Sequence, residues 1–191
     1  MLSTAHVAKF KGTVFTSTRA FTEHKYGPLA VEQCLATLEP ADRILLDGIT
    51  AVGWYPVEPI LKYHRALEQL YGKGSGYKVC EEAGRFSAEW SLNSVLKMFL
   101  RLRSPHWLIQ KHGSVWNRYH DSGRWEASPE KQGSLWGRLS DFEVRDPAFC
   151  ARLSGWLRGA IEATGGKNVR VVESTCRSRD GEFCQFDCTW K

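Results

Sequence analysis

Long hydrophobic runs are missing from this sequence, and so are dense blocks of one charge. No stretch approaches the roughly 20 apolar residues that a membrane-spanning helix needs, and residues 1–12 lack the apolar core of a signal peptide. The net charge of +5 is spread along the chain, which is typical of a solvated surface. We therefore expect neither a membrane span nor a nucleic-acid partner.

The motifs of common catalytic sites are also missing. The sequence contains no nucleophile elbow, no glycine-rich loop that cradles a phosphate and no His-Glu-x-x-His helix. No pair of carboxylates is placed by a regular spacing. Catalysis has no support in these residues, and we expect a protein that is not an enzyme.

What is present is enough for a substantial core. The 191 residues are 42% hydrophobic and 25% charged, which are ordinary values for a globular protein. No repeat or low-complexity segment divides them, so we expect one domain over residues 1–191. A chain of this size does not need disulfides, and we interpret its six cysteines as reduced thiols of a cytoplasmic protein.

Helical periodicity fills the first half of the chain, and strand periodicity fills much of the second. Apolar residues recur at three- and four-residue steps in the first half. The helices predicted there cover residues 19–25, 29–38, 41–49, 56–71 and 77–103. A strand is predicted at residues 10–15, followed by capping hydroxyls at residues 16–18. Alternation over residues 115–144 predicts hairpins. This order predicts an α+β fold.

The last quarter of the chain combines a helix with a hairpin. Apolar positions form one stripe of a helix over residues 147–164, with Asp146 as the N-cap and Gly165-Gly166 as the stop. Two strand-like runs follow, at residues 169–178 and 182–190.

A three-residue loop over residues 179–181 best separates apolar from polar positions in this hairpin. It pairs Cys176 with Cys184 and places Glu173 on the polar face. The opposite face is then apolar. That face carries Val172, Cys176, Cys184, Phe186, Cys188 and Trp190.

The Gly-Gly stop, Cys176, the turn with Asp180-Gly181 and the run Cys184-Gln185-Phe186 resemble the C-terminal signature of the vinyl-reductase-type small-molecule-binding domain. That domain is related to the haem nitric-oxide-binding and TRAPP-component folds. The whole chain also resembles a family of uncharacterised myxobacterial proteins of similar length. The segments that carry this second likeness are residues 11–15, 52–56, 84–86, 116–119 with Gly123, and 149–156.

The resemblance implies a helical layer packed on a twisted antiparallel sheet, with an apolar cavity between the two layers. It also implies a sensor of small or hydrophobic ligands, or an assembly component that pairs through its helices. Fold likeness alone does not determine function.

Cys176, Cys184 and Cys188 are the candidate metal ligands. Three thiolates on one face can hold zinc together with a fourth ligand, although no Cys-x-x-Cys motif occurs here. Two alternatives stay open. The cysteines can take part in thiol chemistry, including a Cys176–Cys184 disulfide, or they can be buried simply as small apolar side chains.

Eight tryptophans are many for a chain of this length, and such side chains suit either a ligand pocket or a core. Arg85 can bind a ligand carboxylate or phosphate in a cavity, or it can pair at the surface with Glu81 and Glu89. The candidate cavity residues are Trp54, Tyr55, Arg85, Trp90, Trp107, Trp116 and Trp156.

The haem-binding relatives use an axial histidine, so His106, His112 and His120 raise the question of haem. None of the three lies in a motif that matches that ligand, and such histidines serve more often as polar groups of the surface or core. Zinc and haem are therefore the cofactors to test.

Together these patterns favour a sensor or regulatory domain that binds a small apolar or amphipathic ligand, without catalysis, and reports to a partner. The alternative is an interaction module that forms a homodimer. A metal- or thiol-dependent protein is a third hypothesis.

Overall fold

The computed structural model describes residues 7–90, 105, 107 and 112–191. The fold is α+β, as predicted. Its helices are α1 (Thr13–Tyr26), α2 (Pro28–Ala36), α3 (Pro40–Asp47), α4 (Val57–Tyr71), α5 (Lys78–Trp90), α6 (His112–Tyr119) and α7 (Pro147–Ala163). Its strands are β1 (Lys9–Lys11), β2 (Trp54–Pro56), β3 (Arg124–Lys131), β4 (Ser134–Ser140), β5 (Arg170–Thr175) and β6 (Cys184–Thr189). Within the described residues, no helix has the length and apolarity to cross a membrane.

Four strands form an antiparallel sheet in the order β3-β4-β6-β5. Strands β1 and β2 pair separately near the start of the helical region. Helix α7 packs on β5 and β6 on one side and on α5 and α4 on the other. Its apolar stripe, including Leu157 and Ile161, is fully buried against Phe186 of β6 and the rest of the core.

Helix α7 begins and ends as its sequence predicts. The Asp146 carboxylate accepts hydrogen bonds from the backbone N–H groups of Ala148, at 2.8 Å, and Phe149, at 3.1 Å. These bonds satisfy two of the donors that a helix start leaves unpaired. At the other end Gly165 has a φ of 94°, which glycine adopts at no steric cost. The predicted cap and stop are both confirmed.

Helices α5 and α7 cross in direct backbone contact. A Cβ atom on Gly84 would lie 1.9 Å from the carbonyl oxygen of Arg152, and one on Gly155 would lie 1.8 Å from the carbonyl oxygen of Glu81. Only glycine fits at either position. The close crossing brings Ser87 of α5 against the side chain of Arg152 on α7.

The predicted strand at residues 10–15 is wrong beyond Lys11, because α1 begins at Thr13. Gly12 makes this early turn possible, since a Cβ atom there would lie 1.9 Å from the carbonyl oxygen of Thr50. Ser17 and Thr18 consequently lie inside α1 and are buried, and they do not cap a later helix.

Residues 115–120 were predicted as a strand, but they belong to α6 and the residue after it. Six residues of alternating polarity fit both the period of a strand and the period of a helix. In the short helix observed, Trp116 is the deeply buried residue. The described part of the predicted helix over residues 77–103 is α5, Lys78–Trp90. Residues 91–103 of that prediction lie outside the described residues.

The hairpin register is correct next to the turn and wrong farther away. Thr175 pairs with Gln185, in phase with the predicted Cys176–Cys184 pair, but a bulge between Glu173 and Thr175 shifts the remaining pairs by one residue. Val172 is therefore 40% exposed rather than part of the apolar face. The loop is also longer than predicted, with a 3₁₀ turn at Arg177–Arg179 and Asp180 in the left-handed region.

Candidate functional site

A cavity of about 40 Å³ lies where α1, α5, α6 and α7 meet. Its wall is mostly apolar, with four hydroxyl groups and one guanidinium among the lining side chains. The lining residues are Thr13, Val14, Ser17, Ser87, Val115, Trp116, Tyr119, His120, Phe149, Arg152, Leu153 and Trp156.

Arg152 is the charged group of this cavity, and it is only 7% exposed. Its Nη2 donates to the hydroxyls of Ser87, at 2.9 Å, and Ser17, at 3.2 Å, and to the carbonyl oxygen of Val14, at 3.2 Å. Its Nε donates to the hydroxyl of Thr18 at 3.2 Å. Helices α1 and α5 thus hold the guanidinium through neutral oxygens.

No carboxylate within the described part of the chain forms an ion pair with Arg152. Burial lowers the pKa of its guanidinium to about 10. Nearby, burial and the charge of Arg152 hold the pKa of His64 well below its usual value, so that its imidazole is neutral. Among the described residues, the site therefore contains a cation without a counter-charge.

Aromatic rings form the opposite wall of the cavity. Trp116 is fully buried and stacks on His120 with the ring centroids 3.7 Å apart. Nδ1 of His120 lies 3.2 Å from the carbonyl oxygen of Trp116, and Phe149 packs edge-on against both rings. This wall is rigid and apolar.

Only two of the seven predicted cavity residues line this cavity, namely Trp116 and Trp156. Trp54 is 39% exposed on β2, and the Tyr55 hydroxyl accepts a hydrogen bond from the backbone N–H of Thr50. Trp90 and Trp107 are 57% and 38% exposed. None of these four side chains lines the cavity.

Arg85 is on the surface rather than in the cavity. Its Nε donates to Oε2 of Glu162 at 2.7 Å, across the α5–α7 contact, and its side chain is half exposed. The surface interpretation was right, but the partner is not one of the predicted residues, Glu81 or Glu89. The crossing of α5 and α7 brings the more distant Glu162 into reach.

A second group of reactive side chains joins α7 to the hairpin. Cys150 of α7 lies with its sulfur 3.8 Å from that of Cys184 and 3.7 Å from that of Cys176. These three sulfurs and a carboxylate oxygen of Glu173 all lie within 4.8 Å of one another. A tetrahedral zinc with Zn–S bonds of about 2.3 Å holds its sulfurs about 3.8 Å apart. The spacing of the thiols therefore fits zinc.

Glu173 completes the donor set. Its Oε2 accepts a hydrogen bond from Arg179 at 3.0 Å, whereas its buried Oε1 has no hydrogen-bond partner within the described part of the chain. The bulge in β5 turns this side chain from the predicted polar face toward the cysteines. An unpaired buried carboxylate oxygen beside three thiols is available as a fourth ligand.

The thiols of the cluster differ in acidity. A hydrogen bond from the Cys150 thiol, aided by the Arg177 backbone N–H and opposed by burial, lowers the pKa of Cys184 to about 7. The hydrogen bond with Cys184, together with burial, raises the pKa of Cys150. Cys184 is therefore the thiol that becomes a thiolate first, and thiolates bind metal.

Cys188, the third predicted ligand, does not belong to this cluster. It is buried, and its sulfur faces the carbonyl oxygen of Phe186 at 3.9 Å. All six cysteines are free thiols in this structure. The structure brings two of the three predicted cysteines together, and Cys150, from a helix that is distant in sequence, lies beside them in the place expected for Cys188.

The fold of this chain is the H-NOX fold, that is, the haem nitric-oxide-binding fold to which the vinyl-reductase-type domain was said to be related. An H-NOX protein from Shewanella oneidensis, solved as a triple mutant in the Fe(II) state, has a TM-score of 0.75 and 15% identity, with 95% of this chain and 96% of that chain covered. The same protein in the Fe(II)NO state gives a TM-score of 0.74, 16% identity and coverages of 95% and 99%. An unliganded Fe(II) H-NOX protein from K. algicida gives 0.70, 15%, and coverages of 95% and 96%.

Neither a protein-family model nor a curated protein matches the chain. At these identities the solved structures establish the fold alone. The relations to the vinyl-reductase-type domain, to TRAPP components and to a myxobacterial family remain predictions.

The H-NOX fold implies a haem, and the described residues do not fit one. The cavity of about 40 Å³ is far smaller than the 300–1,000 Å³ pockets that hold drug-sized ligands. The one histidine of its lining, His120, is packed between Trp116, Phe10 and Phe149. His106 and the side chain of His112 lie outside what the structure describes.

Sequence reasoning missed the polar residues of the cavity, above all Arg152, Ser17 and Ser87. A signal for Arg152 was present, because it interrupts the buried stripe of α7 beside Phe149 and Leu153. A charged residue inside an apolar stripe is rare unless it has a specific role. No sequence pattern pointed to the two serines, whose positions depend on the contacts of α1 and α5 with α7.

Proposed function

We propose that this chain is a sensor or regulatory domain that binds a small ligand in the cavity between α1, α5, α6 and α7, without converting it. The observation that carries the proposal is the lining of the cavity. Aromatic and aliphatic side chains surround a few convergent polar groups, which is the composition of ligand sites in general. The likeness in fold to proteins solved with Fe(II)NO and Fe(II)CO adds support by analogy.

The volume of the cavity limits the ligand to a few non-hydrogen atoms, since one water needs about 10–15 Å³. A longer amphipathic ligand requires the half-buried Trp156 at its edge to move. We further propose that the protein acts as one domain in the cytoplasm, where its cysteines stay reduced.

Native mass spectrometry of freshly purified protein, compared with the denatured mass, tests for a co-purified ligand. A thermal-shift screen of small molecules follows the stabilisation RT ln(1 + [L]/Kd) that binding produces. We expect saturable stabilisation by at least one small ligand.

A cavity-filling variant makes this test specific. Val115→Phe fills the cavity from α6 and should abolish the ligand-induced shift, whereas Val172→Phe on the exposed face of β5 should retain it. Equal shifts in both variants would place binding elsewhere and contradict the proposal.

The second candidate function is metal binding at Cys150, Glu173, Cys176 and Cys184, which we call the cysteine cluster. The sulfur spacing and the unpaired Glu173 oxygen favour zinc over simple burial of thiols. Zinc at this position would tie α7 to the hairpin and thus stabilise the fold.

Metal analysis of two matched variants tests this candidate. Cys150→Ser should lose stoichiometric zinc, while Cys188→Ser should keep it, although both residues are buried cysteines. Zinc-free wild-type protein whose melting temperature is unchanged by a chelator would exclude the site.

Self-association remains the alternative role. The exposed side chains of Trp90 and Leu70, at 57% and 42% of their surface, favour a homodimer formed through the helices. Light scattering on a sizing column measures the mass directly. A monomer at high concentration would rule this role out.

A further inference from the structure

We propose that the cavity binds a small planar oxyanion, such as a short-chain carboxylate, through the guanidinium of Arg152. This assignment rests on the proposed function and specifies the ligand class for the same cavity. The ligand would supply the negative charge that none of the described residues places beside Arg152.

The charge of the site is not balanced by any carboxylate of the described residues. Arg152 is only 7% exposed, and its four hydrogen bonds go to hydroxyl and carbonyl oxygens. Buried charges in proteins are normally paired, because removing an unpaired charge from water is costly. Among the described residues no carboxylate pairs with this one, so a bound anion is the natural counter-charge.

The described residues occupy two of the three nitrogens of the Arg152 guanidinium. Nε and Nη2 are occupied by protein oxygens, whereas Nη1 donates to none of the described residues. The guanidinium lies in the cavity wall beside the hydroxyls of Ser17 and Ser87. Arginine binds oxyanions through charge-assisted N–H hydrogen bonds. A nitrogen that is not occupied by the described residues, next to two hydroxyls, suits one such head group.

The size and polarity of the cavity favour a small anion. The cavity of about 40 Å³ has room for roughly three waters, or for an ion of three to five non-hydrogen atoms. Leu153, Phe149 and Trp156 form an apolar surface beside the guanidinium. This combination favours formate, acetate or an ion of similar shape over a multiply charged phosphate.

The test compares acetate with acetamide, its neutral analogue of nearly the same shape. The melting temperature of the whole chain is followed at constant ionic strength, with chloride as the balancing ion. We expect a saturable rise with acetate and a much smaller one with acetamide. Formate, bicarbonate and nitrate at the same ionic strength then show which oxyanion binds best.

Three variants assign the effect to the guanidinium. Arg152→Met should abolish the acetate-dependent rise, and Arg152→Lys should weaken binding by about tenfold or more, since a hydrogen bond to a charged group is lost. Arg158→Met is the matched control, on the same helix but 41% exposed and paired with Glu81 and Glu162, and it should keep the full rise.

The outcomes separate the two proposals. Equal stabilisation by acetate and acetamide, or an undiminished rise in Arg152→Lys, would overturn the anion assignment and leave the cavity as a binding site for neutral molecules. No saturable shift with any probe, and no co-purified ligand, would overturn both. If Arg152→Met does not fold, the comparison of the lysine variant with wild type still decides.

Discussion

The two candidate sites depend on individual residues that contradict their local pattern. Arg152 is a charged residue in an apolar stripe, and Glu173 is a carboxylate that a bulge turns into a cluster of thiols. Among the described residues, Arg152 has no ion-pair partner, and Oε1 of Glu173 has no hydrogen-bond partner. Residues of this kind mark functional sites more often than well-paired ones do.

Glu173→Gln tests the fourth ligand of the cysteine cluster. The amide is a much weaker zinc ligand than the carboxylate, so we expect zinc affinity to fall by tenfold or more, with the three cysteines still bound. Competition with a chromogenic chelator measures the affinity. Glu182→Gln is the control, because that side chain is exposed and lies in the loop between β5 and β6. Similar affinities for the two variants would remove Glu173 from the site.

At the scale of elements, the crossing of α5 and α7 positions the cavity. Gly84 and Gly155 let the two backbones touch, and this contact holds Ser87 against Arg152. A larger residue at either glycine would separate the helices. The polar part of the cavity is therefore sensitive to positions that do not line it.

Gly155→Ala should lower the free energy of unfolding by about 1–3 kcal/mol or more, because the added methyl overlaps the carbonyl oxygen of Glu81. Gly48→Ala, at the end of α3, adds a methyl in ordinary contact and should change stability by less than about 1 kcal/mol. Urea denaturation gives both values. A small effect at Gly155 would mean that α5 and α7 separate easily.

Elements with self-contained signals could be predicted from the sequence, and elements defined by distant contacts could not. Helix α7 carries its own cap, stripe and stop, so its bounds were predicted to within a residue. Helix α6 is too short for its period to be recognised. The Glu173 bulge and the approach of Cys150 to Cys184 both arise from tertiary packing, which local patterns do not encode.

In the whole molecule, α7 connects the two candidate sites. Cys150 faces the hairpin, and Arg152, two residues later, faces the cavity. The same helix packs on the sheet, on α4 and on α5. Any displacement of α7 therefore changes both sites together, which is the physical requirement for a domain that reports ligand binding.

The buried polar centre of the molecule should make its stability depend on pH. His64 is 1% exposed, its Nε2 lies 3.2 Å from the Thr18 hydroxyl, and its Nδ1 has no hydrogen-bond partner among the residues described. Burial, with the charges of Arg152 and Arg65, holds its pKa well below the usual value of about 6.5. The Cys80 thiol faces its carbonyl oxygen at 3.4 Å.

The sign of the effect follows from this lowered pKa. Below about pH 6.5 the unfolded chain binds a proton at His64 that the folded protein does not bind. The contribution of His64 to the free energy of unfolding is therefore fully present above about pH 6.5. It falls as the pH drops, by at most about 1.4 kcal/mol per pH unit. His64→Gln removes the titrating group and should flatten the curve of unfolding free energy between pH 6.5 and 5. His24→Gln changes an exposed histidine and should keep the wild-type slope. If both variants keep the wild-type slope, the loss of stability at low pH originates in groups other than His64.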